Sequence, residues 1–319
     1  MASSFTHEPV LLRESLDEMG LFPNALVVDA TLGGGGHAAA ILDRTAPEGR
    51  LVGLDRDEEA LAAAAARLAR FGDRVRLVHA SFGHLGRVLA DLGIGGVDGV
   101  LLDLGVSSPQ IDRPERGFRF ATADADATPL DMRMDRGAAR TAADLLAAAS
   151  VEELERWLRE YGELPGARRL ARALVAARDR APLKTARDLL AVIDAAHVGR
   201  GRRHHPATLV FQALRIATND EIHALDEGLE AAIAALLPGR RIAVIAYHSL
   251  EDRVVKHRFR DEQRGCDCPP RTPVCVCGRK PRLRIATRRA VRPGPEELRA
   301  NPRSRSARLR VAERVLEAA

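Results

Sequence analysis

The chain has 319 residues, 46% hydrophobic and 29% charged, the balance of a globular protein long enough for one large domain or two ordinary ones. No apolar run approaches the roughly 20 residues of a membrane helix, and the opening M-A-S-S-F-T-H-E-P lacks a basic-then-apolar leader, so a cytoplasmic chain with no membrane partner is expected. The net charge of +5 is clustered between Arg279 and Arg314, where only Glu296, Glu297 and Glu313 oppose the basic residues, and in a knot at Arg200, Arg202, Arg203, His204 and His205; such runs suit a polyanion or a solvated basic surface.

In chain order, residues 9–20 have helical apolar spacing and are expected to lie across a sheet edge. A buried strand at Leu26, Val27 and Val28 ends in Asp29, and a four-glycine turn, Gly33 to Gly36, leads into an alanine-rich helix from about His37. Residues 51–54 form a second strand ending in Asp55, and residues 58–71 a helix. A third strand at 75–78 exits through Ser81 and Phe82; after a helix at 84–92, a fourth at 97–102 ends in Asp103. This alternation predicts an α/β, doubly wound, mostly parallel Rossmann-like sheet covered on both faces. From Ile111 the rhythm becomes helical, with helices expected at 142–149, 151–161, 167–177 and 186–197. A long helix at 207–237 is expected to stop at Pro238-Gly239, before a strand at 241–247, a helix to about Phe259, and closing strands at 283–287 and 309–312. Residues 1–110 and 207–319 are therefore expected to form one discontinuous sheet domain, interrupted by an all-helical domain at 111–206.

Ligands in such sheets sit beyond the carboxyl ends of the strands, where Asp29, Asp55, Phe82 and Asp103 all fall. Asp55 lies 22 positions after Gly33, the distance at which a carboxylate meets a ribose. Gly33, Gly35 and Ala38 also satisfy the pattern of nicotinamide enzymes. A carboxylate at Asp29 would repel their pyrophosphate by about 1 kcal/mol or more, whereas it welcomes a phosphate-free ligand bearing an ammonium and a sulfonium. S-adenosylmethionine is that ligand. Asp103 can then accept a hydrogen from an attacking amine, with a helix cap as its plainer role.

The segments D-A-T-L-G-G-G-G-H (29–37), L-D-L-G-V-S-S-P-Q (102–110), R-G-F-R-F (116–120), P-L-D-M-R-M-D (129–135), H-P-A-T (205–208), F-Q-A-L-R-I (211–216) and Y-H-S-L-E-D-R (247–253) closely resemble the bacterial small-subunit ribosomal RNA cytosine-N4 methyltransferase family. The resemblance runs from His7 to near Arg314. It implies S-adenosylmethionine as donor, and as acceptor the exocyclic N4 amine of a cytidine in the decoding region of 16S ribosomal RNA, within the small ribosomal subunit; a homodimer is left open. By motif match the donor would be held by Gly35, Gly36, His37, Asp55, Phe82, Asp103 and Gln110, with Asp103 catalytic and the inserted helical domain facing RNA.

Met132 and Met134 are either core or part of a cleft loop, and His248, Ser249 and Asp252 either substrate-side residues or the cap of the next helix. Leu164, Pro165, Leu209 and Thr218 depart from the family pattern and put the identity of the RNA in question. Cys266, Cys268, Cys275 and Cys277 form two C-x-C pairs, readable as a four-thiolate zinc site or as plain thiols.

Overall fold

The computed structural model describes residues 9–120, 128–199, 205–266, 268–269, 274 and 276–316. The elements are α1 (Leu12–Met19), β1 (Leu26–Asp29), α2 (Gly36–Arg44), β2 (Arg50–Asp55), α3 (Glu58–Leu68), β3 (Val75–His79), α4 (Leu85–Asp91), β4 (Val97–Asp103), α5 (Ser108–Asp112), α6 (Ala142–Ala148), α7 (Val151–Glu160), α8 (Ala167–Arg178), α9 (Ala186–Ala196), α10 (Pro206–Asn219), α11 (Glu221–Ala235), β5 (Leu236–Ala246), α12 (Ser249–Arg264), β6 (Leu283–Ile285), α13 (Pro295–Ala300) and β7 (Arg308–Arg314). They divide into two compact units, residues 1–105 with 222–319, and residues 106–221.

The first unit is a seven-stranded sheet in the order β3-β2-β1-β4-β5-β7-β6. Strands β1 to β5 are mutually parallel, and β7 runs antiparallel to both β5 and β6. Successive residues of each parallel strand point to opposite faces, so strands covered on both sides must be apolar throughout. Leu101 belongs to the core of one face, with Val27, Leu51, Ala243 and Ile245, under α1, α2 and α3. Its neighbours Val100 and Leu102 join Val28, Leu54 and Val244 in the other, under α4, α11 and α12. The chain thus winds one way from β1 to β3 and then back across β1 to β4. The crevice where that order reverses lies between the ends of β1 and β4, at Asp29 and Asp103.

Helix α1 does not lie across a sheet edge: Leu11 and Met19 are fully buried on a face with Val27 and Ile245, and Glu18 accepts a hydrogen bond at its carbonyl from Arg241 of β5, 2.7 Å away. The long helix expected at 207–237 is two helices, because Asp220 takes a left-handed conformation, φ +49°, that ends α10. Aspartate tolerates this backbone better than most residues, and its helix-like neighbours hid the break. Helix α10 then belongs with the second unit, where Val210, Phe211 and Leu214 are buried, so the unit borders fall at 105/106 and 221/222 rather than 110/111 and 206/207. Strand β5 also begins earlier than expected, at Leu236, and runs through Pro238-Gly239.

The second unit is helical, α5 to α10, around a core that includes Leu146, Leu158, Leu170 and Leu189. Its helix starts are written in the sequence: Thr141 with Asp144, Ser150 with Glu153, and Thr185 with Asp188 each form a reciprocal cap. Among the described residues no helix is long and apolar enough to cross a membrane.

Candidate active site

The glycine turn after β1 is shaped by what each glycine faces. Gly35 has φ +75° and a Cβ there would sit 3.2 Å from that of Ala64 on α3, while a Cβ on Gly36 would fall 2.4 Å from Pro9 Cγ. These two glycines let α2 start close under its neighbours. Gly33 differs. It also has positive φ, +51°, yet a Cβ on it would meet nothing within 4 Å. It borders open space beside the carboxylate of Asp55, whose Oδ2 accepts the Gly33 N–H at 2.8 Å and whose Oδ1 accepts that of Asp57 at 2.9 Å. Asp55 thereby fixes the turn from the end of β2, and each oxygen keeps a second lone pair for a ligand hydroxyl. Burial pushes its carboxyl above the usual range.

Asp29 is 1% exposed. Its Oδ1 accepts the Thr31 N–H at 3.2 Å, but Oδ2 is buried with no hydrogen-bond partner. Burial raises its pKa to about 7, reinforced by the negative charge of Asp55. A buried carboxylate oxygen without a donor costs free energy unless a cation or donor arrives. The orphaned oxygen and the open space at Gly33 fit a cationic nucleoside without phosphate.

Asp103, at the end of β4, is the other half of the crevice. Its backbone N–H donates to Thr31 Oγ1 at 2.5 Å, and its Oδ1 accepts the Tyr247 hydroxyl at 2.8 Å. Desolvation raises its pKa to about 7 despite that hydrogen bond, which works in the opposite direction; Asp29, Glu251 and Glu297 add like-charge repulsion. His37 Nδ1 stands 3.7 Å from Asp103 Oδ2. The contact is not an ion pair. Burial drops the His37 pKa to about 4, and its Nε2–H donates to the Val10 carbonyl at 3.1 Å, so a neutral ring turns an Nδ1 lone pair toward Asp103.

Phe82 opens a short 3-10 turn and is partly buried against α11, where a Cβ on Gly228 would lie 2.9 Å from its Cδ2. The Arg56 guanidinium rests 5.5 Å from the ring centroid and donates to Ser81 Oγ at 2.7 Å, which leaves the ring held as a flat wall. The structure thus gathers Gly35, Gly36, His37, Asp55, Phe82 and Asp103 in the sheet unit, around the ends of β1, β2, β3 and β4. Gln110 lies in the helical unit, 5% exposed, and its Oε1 caps α5 by accepting the Ser107 N–H at 2.9 Å. Sequence reasoning passed over Gly33 and Thr31 in naming site residues, and it missed Tyr247. No signal in the sequence marks Tyr247, because its place beside Asp103 comes from the pairing of β5 with β4.

His248 is the N-cap of α12, accepting the Glu251 N–H, and Asp252 is clamped by Arg308 at 2.9 Å and Arg310 at 2.7 Å. The capping alternative therefore describes His248, while Asp252 is tied to β7 by ion pairs that hold its carboxyl below the usual range.

In the helical unit, Met132 and Met134 are core, 0% and 7% exposed. The loop around them is braced at every turn. Arg133 forms a two-pronged pair with Asp131, both contacts at 2.8 Å, and Asn219 donates to the Met132 carbonyl while accepting the Met134 N–H. Arg116 donates to the carbonyls of Arg133 and Met134, and Gly117, with φ +74°, passes so close that a Cβ would lie 2.4 Å from the Pro129 carbonyl oxygen.

The MraW methylase family matches residues 4–315 of the chain. Proteins named ribosomal RNA small subunit methyltransferase H from Symbiobacterium thermophilum and from a Geobacter species are 52% and 50% identical, over 96% and 98% of this chain and 96% and 99% of their own. A crystal structure of an rRNA methylase from Streptococcus thermophilus is 12% identical with a TM-score of 0.43, covering 97% of this chain and 98% of that one. The motif resemblance and the expected donor both agree with the family match. The chain belongs to the MraW methylase family, and its methyl donor is S-adenosylmethionine.

Proposed function

We propose that the protein transfers a methyl group from S-adenosylmethionine to the exocyclic N4 amine of a cytidine in the decoding region of 16S ribosomal RNA. The observation that carries this reading is the carboxylate of Asp103, held by the Tyr247 hydroxyl at the crevice, with its backbone N–H fixed by Thr31, and poised near neutrality. The names of the relatives, small-subunit ribosomal RNA methyltransferases, support the RNA as acceptor.

The donor, when bound, supplies a methyl already activated on a sulfonium. Asp29 offers its unpartnered oxygen to the cationic methionine end, and Asp55 offers its lone pairs to the ribose hydroxyls. Gly33 leaves room for the nucleoside, and the Phe82 face lies against the adenine. Gly35, Gly36 and His37 set the course of α2 beneath the ligand; donor binding by Gln110 rests on the motif alone. Asp103, ionised, accepts one hydrogen of the cytosine amine, which directs the nitrogen lone pair at the methyl and gives the departing proton a destination. Cytosine N4 is engaged in a paired helix, so the target base is taken unstacked.

Of the four departures from the family pattern, Leu164 is buried in the helical core, Leu209 packs against it, and Thr218 Oγ1 donates back to the Leu214 carbonyl at 2.8 Å, whereas Pro165 is exposed.

The test is transfer of a labelled methyl to small subunits from a strain lacking the gene, followed by mass spectrometry of the labelled nucleoside. Wild type is expected to yield N4-methylcytidine and Asp103→Ala to lose about 100-fold or more in rate. Label on carbon-5, or on protein, overturns the assignment.

A further inference from the structure

The chain leaves α12 at Gly265 and rejoins the sheet at β6, and the two ends of that excursion are pinned together. Gly265 has φ +67°, and a Cβ on it would lie 2.3 Å from the Pro281 nitrogen, so backbone passes directly over backbone. Arg282 N–H donates to the Glu262 carbonyl at 2.9 Å just below.

At this neck stand Cys266, Cys268 and Cys277, with all three sulfurs within 4.8 Å of one another. The sulfurs of Cys266 and Cys277 are 3.8 Å apart. That is nearly twice the length of an S–S bond, about 2.05 Å. It suits a thiol–thiol hydrogen bond, and it equally matches two sulfurs that share a tetrahedral ion, because two bonds of about 2.3 Å at the tetrahedral angle span about 3.8 Å. The Val276 N–H donates to Cys268 Sγ from 3.4 Å and helps hold that side chain at the neck. Spacing alone left zinc and plain thiols open, and the clustering of three sulfurs at a closed neck favours zinc; the fourth cysteine of the expected set, Cys275, lies outside the described residues.

We propose that Cys266, Cys268 and Cys277 bind one zinc ion that staples the loop between α12 and β6. Three thiols lose their protons to solvent as the ion enters, with no change of oxidation state, and water or a further donor takes the fourth position. The resulting centre carries one net negative charge, which the adjacent Arg264, Arg279 and Lys280 offset. Thiolates are soft ligands, and they select zinc over magnesium or calcium. The role is structural and independent of the methyl-transfer reading. The ion closes a loop whose ends the fold already brings together, and it restricts the unfolded chain as a disulfide would.

The experiment uses full-length protein purified without chelator or a metal-affinity tag. Elemental analysis is expected to give about one zinc per chain in wild type and almost none in Cys266→Ser and Cys277→Ser, with Cys275 left intact throughout. Wild type stripped of metal and titrated with cobalt(II) should develop a near-ultraviolet thiolate-to-cobalt absorption, and chelation should lower its melting temperature. The cobalt spectrum is read on wild type, so variants that fail to fold do not blunt the test. A wild-type protein without zinc that develops no cobalt absorption overturns the proposal, as does iron in the purified protein or a Cys266–Cys277 disulfide found by non-reducing peptide mapping.

Discussion

At the scale of single residues, the site is organised by carboxylates the fold makes uncomfortable. Asp29 titrates at about 7 in the folded chain and near 3.9 when unfolded. Its folded pKa is raised, so the buried charge costs nothing at low pH; the penalty grows between about 4 and 7 and is complete above. Asp29→Asn should therefore stabilise the ligand-free protein by about 2–4 kcal/mol at pH 8, the gain shrinking toward pH 5, while weakening donor binding. Urea unfolding at the two pH values and calorimetry with S-adenosylmethionine check both halves; loss of stability at pH 8 contradicts the account. Tyr247 acts through Asp103. Its hydroxyl stabilises the ionised carboxylate, so Tyr247→Phe should raise the Asp103 pKa beyond about 7 and move the acid limb of the rate profile up by about one pH unit. The kcat measured from pH 6 to 9 should fall near neutrality and recover in base; a uniform loss across the range would assign the ring, not the hydroxyl. Asp29, Asp55 and Asp103 were legible because strand ends are visible in a sequence. Tyr247 was not, since only the pairing of β5 with β4 brings it to Asp103.

At the scale of elements, strands and capped helices could be read wherever one physical signal dominated. Parallel strands buried on both faces announce themselves as unbroken apolar runs, and the caps at Thr141, Ser150 and Thr185 mark their helices. The break at Asp220 gave no such signal, because one left-handed aspartate is invisible inside a helical pattern. Equally hidden was the network joining α11, α12 and the start of β6. Glu262, 1% exposed, receives two contacts of 2.6 Å from Arg282, which also grips Glu230 at 2.7 Å. Hydrogen bonding to Arg282 holds both carboxyls below the usual range. Arg282→Ala should cost about 3 kcal/mol near neutral pH, because a buried carboxylate loses its main partner. Arg258 and Arg279, 3.7 and 3.5 Å from Glu262, temper the loss. The depressed pKa fixes the sign: the stabilisation is present above the unfolded carboxyl pKa, near 4.3, and fades as pH falls through the folded value. Denaturant midpoints at pH 7.5 and pH 4 should show a large gap between variant and wild type at the first and a smaller one at the second.

At the scale of the whole chain, the change from βα rhythm to helices alone was enough to show an interruption of the sheet. Its borders were not, because Ser107 and Gln110 cap a helix of the second unit, and α10 carries the same apolar stripe as α11. Those borders have a consequence for synthesis. Strand β4 is complete at residue 103, but its neighbour β5 begins at residue 236, so more than a hundred residues must be translated before that edge finds its partner. Residues 106–221, contiguous and with their own core, can collapse as soon as they emerge. Vectorial assembly of this polypeptide thus runs from the inside outward: the middle matures first, while the earliest-made strands wait with an unpaired flank open to chaperones and to other nascent chains.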